Sequence, residues 1–336
     1  MIQDDFVTYF NGAIFSRPDF MASLFSRMLP LRKHAHRIIS EYHALRAHPL
    51  PKSSGKTISV SRYEGDHPAV RKMMAFLEKC LKQDLLGAYV HGSLGTDEEM
   101  LYSDFDALAI VEDSVFEDTG RLVQVARKLS AAQSIMFDFD PFQHHGWFVL
   151  LEAQLKSYPG WYFPAELFDH TKSLFMDKGL ELTINMDESG KEEKGVFISF
   201  CDSILRKIEE HSFPKSLYEL KSLLSGTMLL PALYVQARDG TGIFKKFSFG
   251  AAAADFSKEE WAIMKEISLI RKNWSFRLSP ARRWLLAKTH PLARYLGQRY
   301  APPIPVDIGR LLSEDFYERM RRLILAMRNR IDGRQN

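Results

Sequence analysis

The 336-residue chain is poor in cysteine and has no long apolar run and no internal repeat. Its two cysteines, Cys80 and Cys201, stand far apart and belong to no Cys/His spacing. That excludes a disulfide framework and a cysteine-based zinc module, and it suits a reducing compartment. No apolar stretch approaches the roughly 20 residues a membrane helix needs, and the opening MIQDDF is acidic where a secretory signal would be basic. A soluble, cytoplasmic protein without a membrane partner is therefore expected. What is present is ordinary: 46% hydrophobic and 26% charged residues, in a chain long enough for two or three units with cores of their own.

The net charge of +3 conceals an asymmetry, because Arg271 to Asn336 holds 15 Lys and Arg against 5 Asp and Glu. Such a stripe reads first as a solvated face, with nucleic acid or phosphate as the alternative partner.

Along the chain, the first 59 residues read as a helical extension. Its apolar positions Phe15, Phe20, Leu24 and Met28 are broken by Pro18 and Pro30, and Ala47 to Thr57 reads as a loop. A helix follows, with Asp66 as cap, Pro68 in its first turn, and Val70, Met73, Leu77 and Leu81 on one face. LGAYVHG and DALAIV read as strands, the second apolar at consecutive positions as a doubly covered central strand would be. Ser114 and Glu117 offer a capping box for a helix through Leu122, Val125 and Leu129, and IMFDFDPF reads as a third strand ending at Pro141.

From about Lys156 the pattern turns helical. One long helix runs through Leu217, Leu224 and Pro231 to a stop at Gly240; Ser257 and Glu260 cap another; a last amphipathic helix spans Glu314 to Arg328.

The chemistry concentrates in AYVHGSLGTDEEMLYSDFDALAIVED, Ala88 to Asp113. Asp104 and Asp106 stand two apart at the mouth of a strand, so they share a face while Phe105 turns to the other. Burying two carboxylates side by side is costly unless water or a cation compensates them. Hard oxygen ligands select Mg²⁺ or Mn²⁺, and magnesium commonly completes its shell with substrate phosphates. With a third carboxylate the same positions suit two ions roughly 4 Å apart. Gly92 and Ser93 fit from the other side, since a glycine turn lets backbone N–H groups approach an anion.

These residues, HisGlySer at 91 to 93 and TyrSerAspPheAsp at 102 to 106 followed by apolar residues, resemble the signature of the nucleotidyltransferase superfamily that includes DNA polymerase β and kanamycin nucleotidyltransferase. The resemblance implies an α/β (α+β) core with a small mixed sheet over residues 60–155, and the helical patterns on either side make an N-terminal helical extension over 1–59 and a helical C-terminal domain over 156–336. It implies metal on Asp104 and Asp106, with Gly92, Ser93 and Ser103 at a nucleoside triphosphate, and a third acidic residue from a later strand. IMFDFDPF offers Asp138 and Asp140; Asp138 is preferred, as metal ligand and base, because Asp140 precedes the proline turn.

Gln143, His144, His145 and Gly146 are candidates to line an acceptor pocket, with Trp147 or Trp161 stacking on a ring; turn and core roles compete for all of them. Adjacent histidines cannot both face one metal from a strand, which argues against zinc. Lys245 and Lys246, in an expected loop, are candidates to neutralise a triphosphate, with Lys246 the more direct. The expected reaction is transfer of a nucleoside monophosphate from a nucleoside triphosphate to a small molecule, protein or RNA acceptor. The competing readings are an inert binding module on the same fold and a glycosyltransferase that uses its DxD triplet for a nucleotide sugar.

Overall fold

The computed structural model describes residues 2–11, 31–47, 55–186, 191–288, 295 and 298–333. Phe15, Pro18, Phe20, Leu24, Met28 and Pro30 lie outside them. The fold is mixed α/β, and its described residues divide into two compact units: Met1–Pro159 with Phe168–Asp187 and Arg277–Tyr300, and Gly160–Leu167 with Glu188–Phe276 and Ala301–Asn336.

Among the described residues the first unit holds seven strands: β1 (Gly55–Ser59), β2 (Ser61–Arg62), β3 (Leu85–Val90), β4 (Ala107–Val111), β5 (Phe148–Leu151), β6 (Lys172–Ser173) and β7 (Glu181–Asn185). β1 and β7 form an antiparallel pair, and the other five make a mixed sheet in the order β2-β6-β3-β4-β5. The expected loop at Ala47 to Thr57 therefore ends early, because Gly55 already opens β1. β3 runs antiparallel to β4, with Val90 opposite Ala107, and β5 runs parallel to β4, with Leu108 opposite Phe148. That topology brings the end of β3 and the starts of β4 and β5 to one edge of the sheet. All five residues of β4 are buried, which explains its unbroken apolar run.

Helices α1 (Ile2–Phe10), α2 (Leu31–Ala47), α3 (Pro68–Cys80) and α5 (Thr119–Phe139) pack in this unit, and a single turn α4 (Gly92–Gly95) follows β3. Phe6, Phe10 and Tyr42 close around Phe116, with the Tyr42 and Phe116 rings stacked 4.1 Å apart, so the N-terminal helices share the core of the sheet. Pro68 opens α3 as expected, but the capping position is His67 and not Asp66.

Two expectations around α5 are corrected. Ser114 and Glu117 lie in a 3₁₀ segment, and the helix starts at Thr119, where Asp118 accepts the N–H of Arg121. More consequentially, IMFDFDPF is no strand. Residues through Phe139 continue α5, and the third strand of this region is β5, eight residues beyond Asp140 at Phe148.

The second unit is largely helical: α6 (Lys191–Glu209), α7 (Leu217–Asp239), α8 (Lys245–Ala253), α9 (Lys258–Lys272) and α10 (Glu314–Asp332). Pro231 lies inside α7, which ends where Gly240 takes φ 73°, and Ser257 with Glu260 forms the capping box of α9. Lys245 and Lys246 open α8 instead of lying in a loop. Among the described residues no helix is long and apolar enough to cross a membrane.

Candidate metal centre

The edge where β3 ends and β4 and β5 begin carries the charged residues. Backbone pairing extends past the strands there, since the N–H of His91 donates to the carbonyl of Asp106 at 3.0 Å. Asp104 and Asp106 therefore lead straight into β4. Phe105 between them is fully buried in the core, edge-on to Phe139, so the alternation read from sequence holds.

The residue that meets both carboxylates is His145, from the loop before β5. Its Nε2 stands 3.2 Å from Asp106 Oδ1 and 3.8 Å from Asp104 Oδ2. Ligand atoms of Asp104, Asp106 and His145 all lie within 4.8 Å of one another, a donor set of two carboxylates and one imidazole that suits a divalent ion. All three side chains are partly open to solvent.

Gln143 locks this arrangement. Fully buried, it accepts the N–H of Phe105 at 2.9 Å through Oε1, while its Nε2 donates to the carbonyls of Phe105 at 3.1 Å and His145 at 3.0 Å. One amide thus fastens the Asp-Phe-Asp backbone to the histidine loop. The expectation that Gln143 lines an acceptor pocket gives way to this bracing role.

Electrostatics follow from the crowding. Burial alone would lower the pKa of His145, but hydrogen bonds and negative charge from Asp104 and Asp106 push it up to about 10. Burial works against the charge on Asp106, yet the His145 bond and charge hold its carboxyl below the ordinary value. His91 behaves oppositely: burial pushes it down to about 4, with the Asp106 charge opposing only in part. Its ring packs against Phe148, as does that of His145. With His145 protonated, the cluster keeps one net negative charge.

Gly92 takes φ 63°, and a Cβ built there would overlap Asp106 Oδ2. Only glycine lets the turn close this far onto the carboxylate. Ser93 follows in α4, where its carbonyl accepts the N–H of Glu98 at 2.8 Å. Ser103 is buried, and its hydroxyl accepts the N–H of Met100 at 3.0 Å, folding the turn that delivers Asp104.

Asp138 stands apart from the cluster. It lies in the last turn of α5, 56% exposed, with Lys72 Nζ and Arg283 Nε each 3.9 Å from its carboxylate. The helix replaces the strand alternation that would have aimed it at Asp104 and Asp106, so its expected role as third carboxylate is corrected. Asp140 caps α5: its N–H donates to Met136 O and its Oδ1 accepts the N–H of Phe142 at 3.1 Å. Trp147 is buried, its indole N–H donating to Leu129 O at 3.0 Å, which makes it core and not a stacking platform. Trp161 and Lys246 belong to the second unit.

Fold and site together define a mixed α/β protein with a candidate metal centre at a sheet edge. No protein-family model matches the chain. No curated protein matches it either. Among solved structures it is similar to the crystal structure of spectinomycin adenyltransferase AAD(9) from Enterococcus faecialis with ATP and spectinomycin, at 15% identity over 70% of this chain and 99% of that one, with a TM-score of 0.37.

Proposed function

We propose that the chain is a metal-dependent nucleotidyltransferase: a nucleophile on an acceptor attacks the α-phosphate of a nucleoside triphosphate and pyrophosphate leaves. The observation that carries this reading is the convergence of Asp104, Asp106 and the Gly92 turn on one half-buried cluster of net negative charge. A divalent ion bound there supplies charge neutralisation and lowers the cost of deprotonating the attacking group. Asp104 and Asp106 hold it, the backbone of the Gly92–Ser93 turn holds the β and γ phosphates, and Ser103 and Gln143 keep the aspartates in place. The acceptor is a small molecule, a protein side chain or an RNA end.

The test incubates the protein with each α-labelled nucleoside triphosphate, Mg²⁺ or Mn²⁺, and panels of aminoglycosides, extract proteins and RNAs. Metal-dependent label transfer is expected, abolished in Asp104→Asn and Asp106→Asn. No transfer, and no metal-dependent nucleotide binding, would sink the reading.

One observation favours a second reading, an inert binding module. His145 already spans both carboxylates, so its imidazolium compensates them without any ion. On that reading nucleotide binding, if any, is indifferent to divalent ions.

A further inference from the structure

We propose that His145 is the third metal ligand and that its imidazole gives the site a preference for a borderline ion, Zn²⁺, over the hard ion Mg²⁺. The inference rests on the reading of this cluster as a metal centre.

Three features of the histidine support it. The first is spacing. Ligands about 2.1 Å from one ion, at tetrahedral or right angles, stand roughly 3.0–3.5 Å apart. His145 Nε2 lies 3.2 Å from Asp106 Oδ1 and 3.8 Å from Asp104 Oδ2, so both of its separations from the carboxylates fall within a few tenths of an ångström of that range.

The second is the other ring nitrogen. His145 Nδ1 lies 3.1 Å from the carbonyl of Gly146, an acceptor that fixes a proton on Nδ1 and leaves the Nε2 lone pair for an ion. Metal-bound histidines are held this way by a carbonyl or carboxylate behind the ring.

The third is the Gln143 clamp, which ties the carbonyl of His145 to the backbone between the aspartates. The backbone that carries the three donors is thereby braced on both sides. Ion choice then follows from donor chemistry. Oxygen-only sets suit Mg²⁺ and Mn²⁺, whereas an imidazole nitrogen raises affinity for Zn²⁺ and gives Mg²⁺ little. His144, its neighbour, is rotated 88° from it, so the pair supplies one ligand and not two.

The experiment is calorimetric titration of the metal-stripped full-length protein with MgCl₂, MnCl₂ and ZnCl₂, wild type beside His145→Asp. Transition ions outbind Mg²⁺ at most sites, so the affinity ratio between proteins, not the order in wild type, carries the test. The ratio of Zn²⁺ to Mg²⁺ affinity is expected to fall on the order of tenfold or more in His145→Asp, with Mg²⁺ binding retained. Equal ratios in the two proteins, with ions bound in both, would overturn the proposal and leave the metal centre standing. No binding of any ion to wild type, with or without ATP, would overturn both.

Should His145→Asp fail to fold, ¹⁵N-histidine spectra of the wild type read the same point. Zn²⁺ is expected to move one Nε2 resonance while the Nδ1 of that ring stays protonated. Zn²⁺ bound with no Nε2 moved would refute the assignment.

Discussion

Gly92 shows how a single residue is fixed by two independent demands. Its φ of 63° is in the left-handed region, and its missing Cβ is the room that Asp106 Oδ2 occupies. Gly92→Ala is expected to cost about 1–2 kcal/mol for the backbone alone and to push the Asp106 carboxylate out of place. Urea unfolding checks the first effect. A Mn²⁺ titration checks the second, with affinity down on the order of tenfold; unchanged Mn²⁺ binding would mean that the turn and the carboxylate are not coupled. Gln143 makes a parallel case. Gln143→Leu leaves the N–H and C=O of Phe105 and the C=O of His145 without their amide, a loss of about 2–5 kcal/mol. Gln143→Glu still accepts from Phe105 but turns an oxygen toward the two carbonyls. It is expected to weaken Mn²⁺ binding at temperatures where circular dichroism shows the chain folded, and full binding there would reduce Gln143 to a packing residue.

At the scale of elements, the site depends on how an edge strand is kept from slipping. β5 is the last strand of the sheet, and α1 covers its open side with amide side chains. Asn11, just past α1, donates to Trp147 O at 2.9 Å and accepts the Trp147 N–H at 2.8 Å, while Gln3 donates to Val149 O. These bonds do for β5 what a neighbouring strand would do. Asn11→Ala is expected to cost about 2–3 kcal/mol by leaving the buried N–H and C=O of Trp147 without their amide partner, and to speed amide hydrogen exchange in Trp147–Leu151 more than in β3. Equal acceleration across the sheet would indicate general loosening. β3 and β4 were legible because each is a contiguous apolar run bounded by Gly or Asp. The end of α5 was not. In IMFDFDPF the alternation of Phe and Asp mimics a strand, yet the spacing Leu122, Val125, Leu129, Ala132, Met136 runs on into it at helical period. That continuity was the readable signal, and it places Asp138 on the solvent side. His145 could not be assigned from local pattern at all, because its partners arrive through the parallel pairing of β4 with β5 and through the Gln143 clamp.

At the scale of the whole chain, charge and burial act within each unit. The basic tail that hinted at nucleic acid is, in α10, engaged by carboxylates of its own unit: Arg319 with Glu266 and Asp315, Arg328 with Asp202, Arg330 with Glu260. Burial leaves a different signature, on acids that are neutral when folded. Cys201, on α6, is pushed by burial, with the Asp202 charge adding, from an ordinary value of 9.0 to about 12. Burial likewise raises Tyr317 in the second unit, and Tyr9 in the first against the pull of Arg127, each from 10.0 to about 12. Tyr89, in β3, is also raised by burial. Each binds its proton more tightly folded than unfolded. Their stabilising contribution is therefore complete below about pH 9 and is lost as pH climbs through the range between the unfolded and folded values. Urea midpoints are expected to be flat from pH 7 to 8.5 as far as these groups go, and to fall progressively from pH 9.5 to 11.5. A thiol reagent separates the cysteine from the tyrosines: at pH 8 the native chain should react at the half-buried Cys80 alone, and at both cysteines only after unfolding. Rapid labelling of Cys201 in native protein, or urea midpoints that hold to pH 11.5, would contradict the burial on which this argument stands.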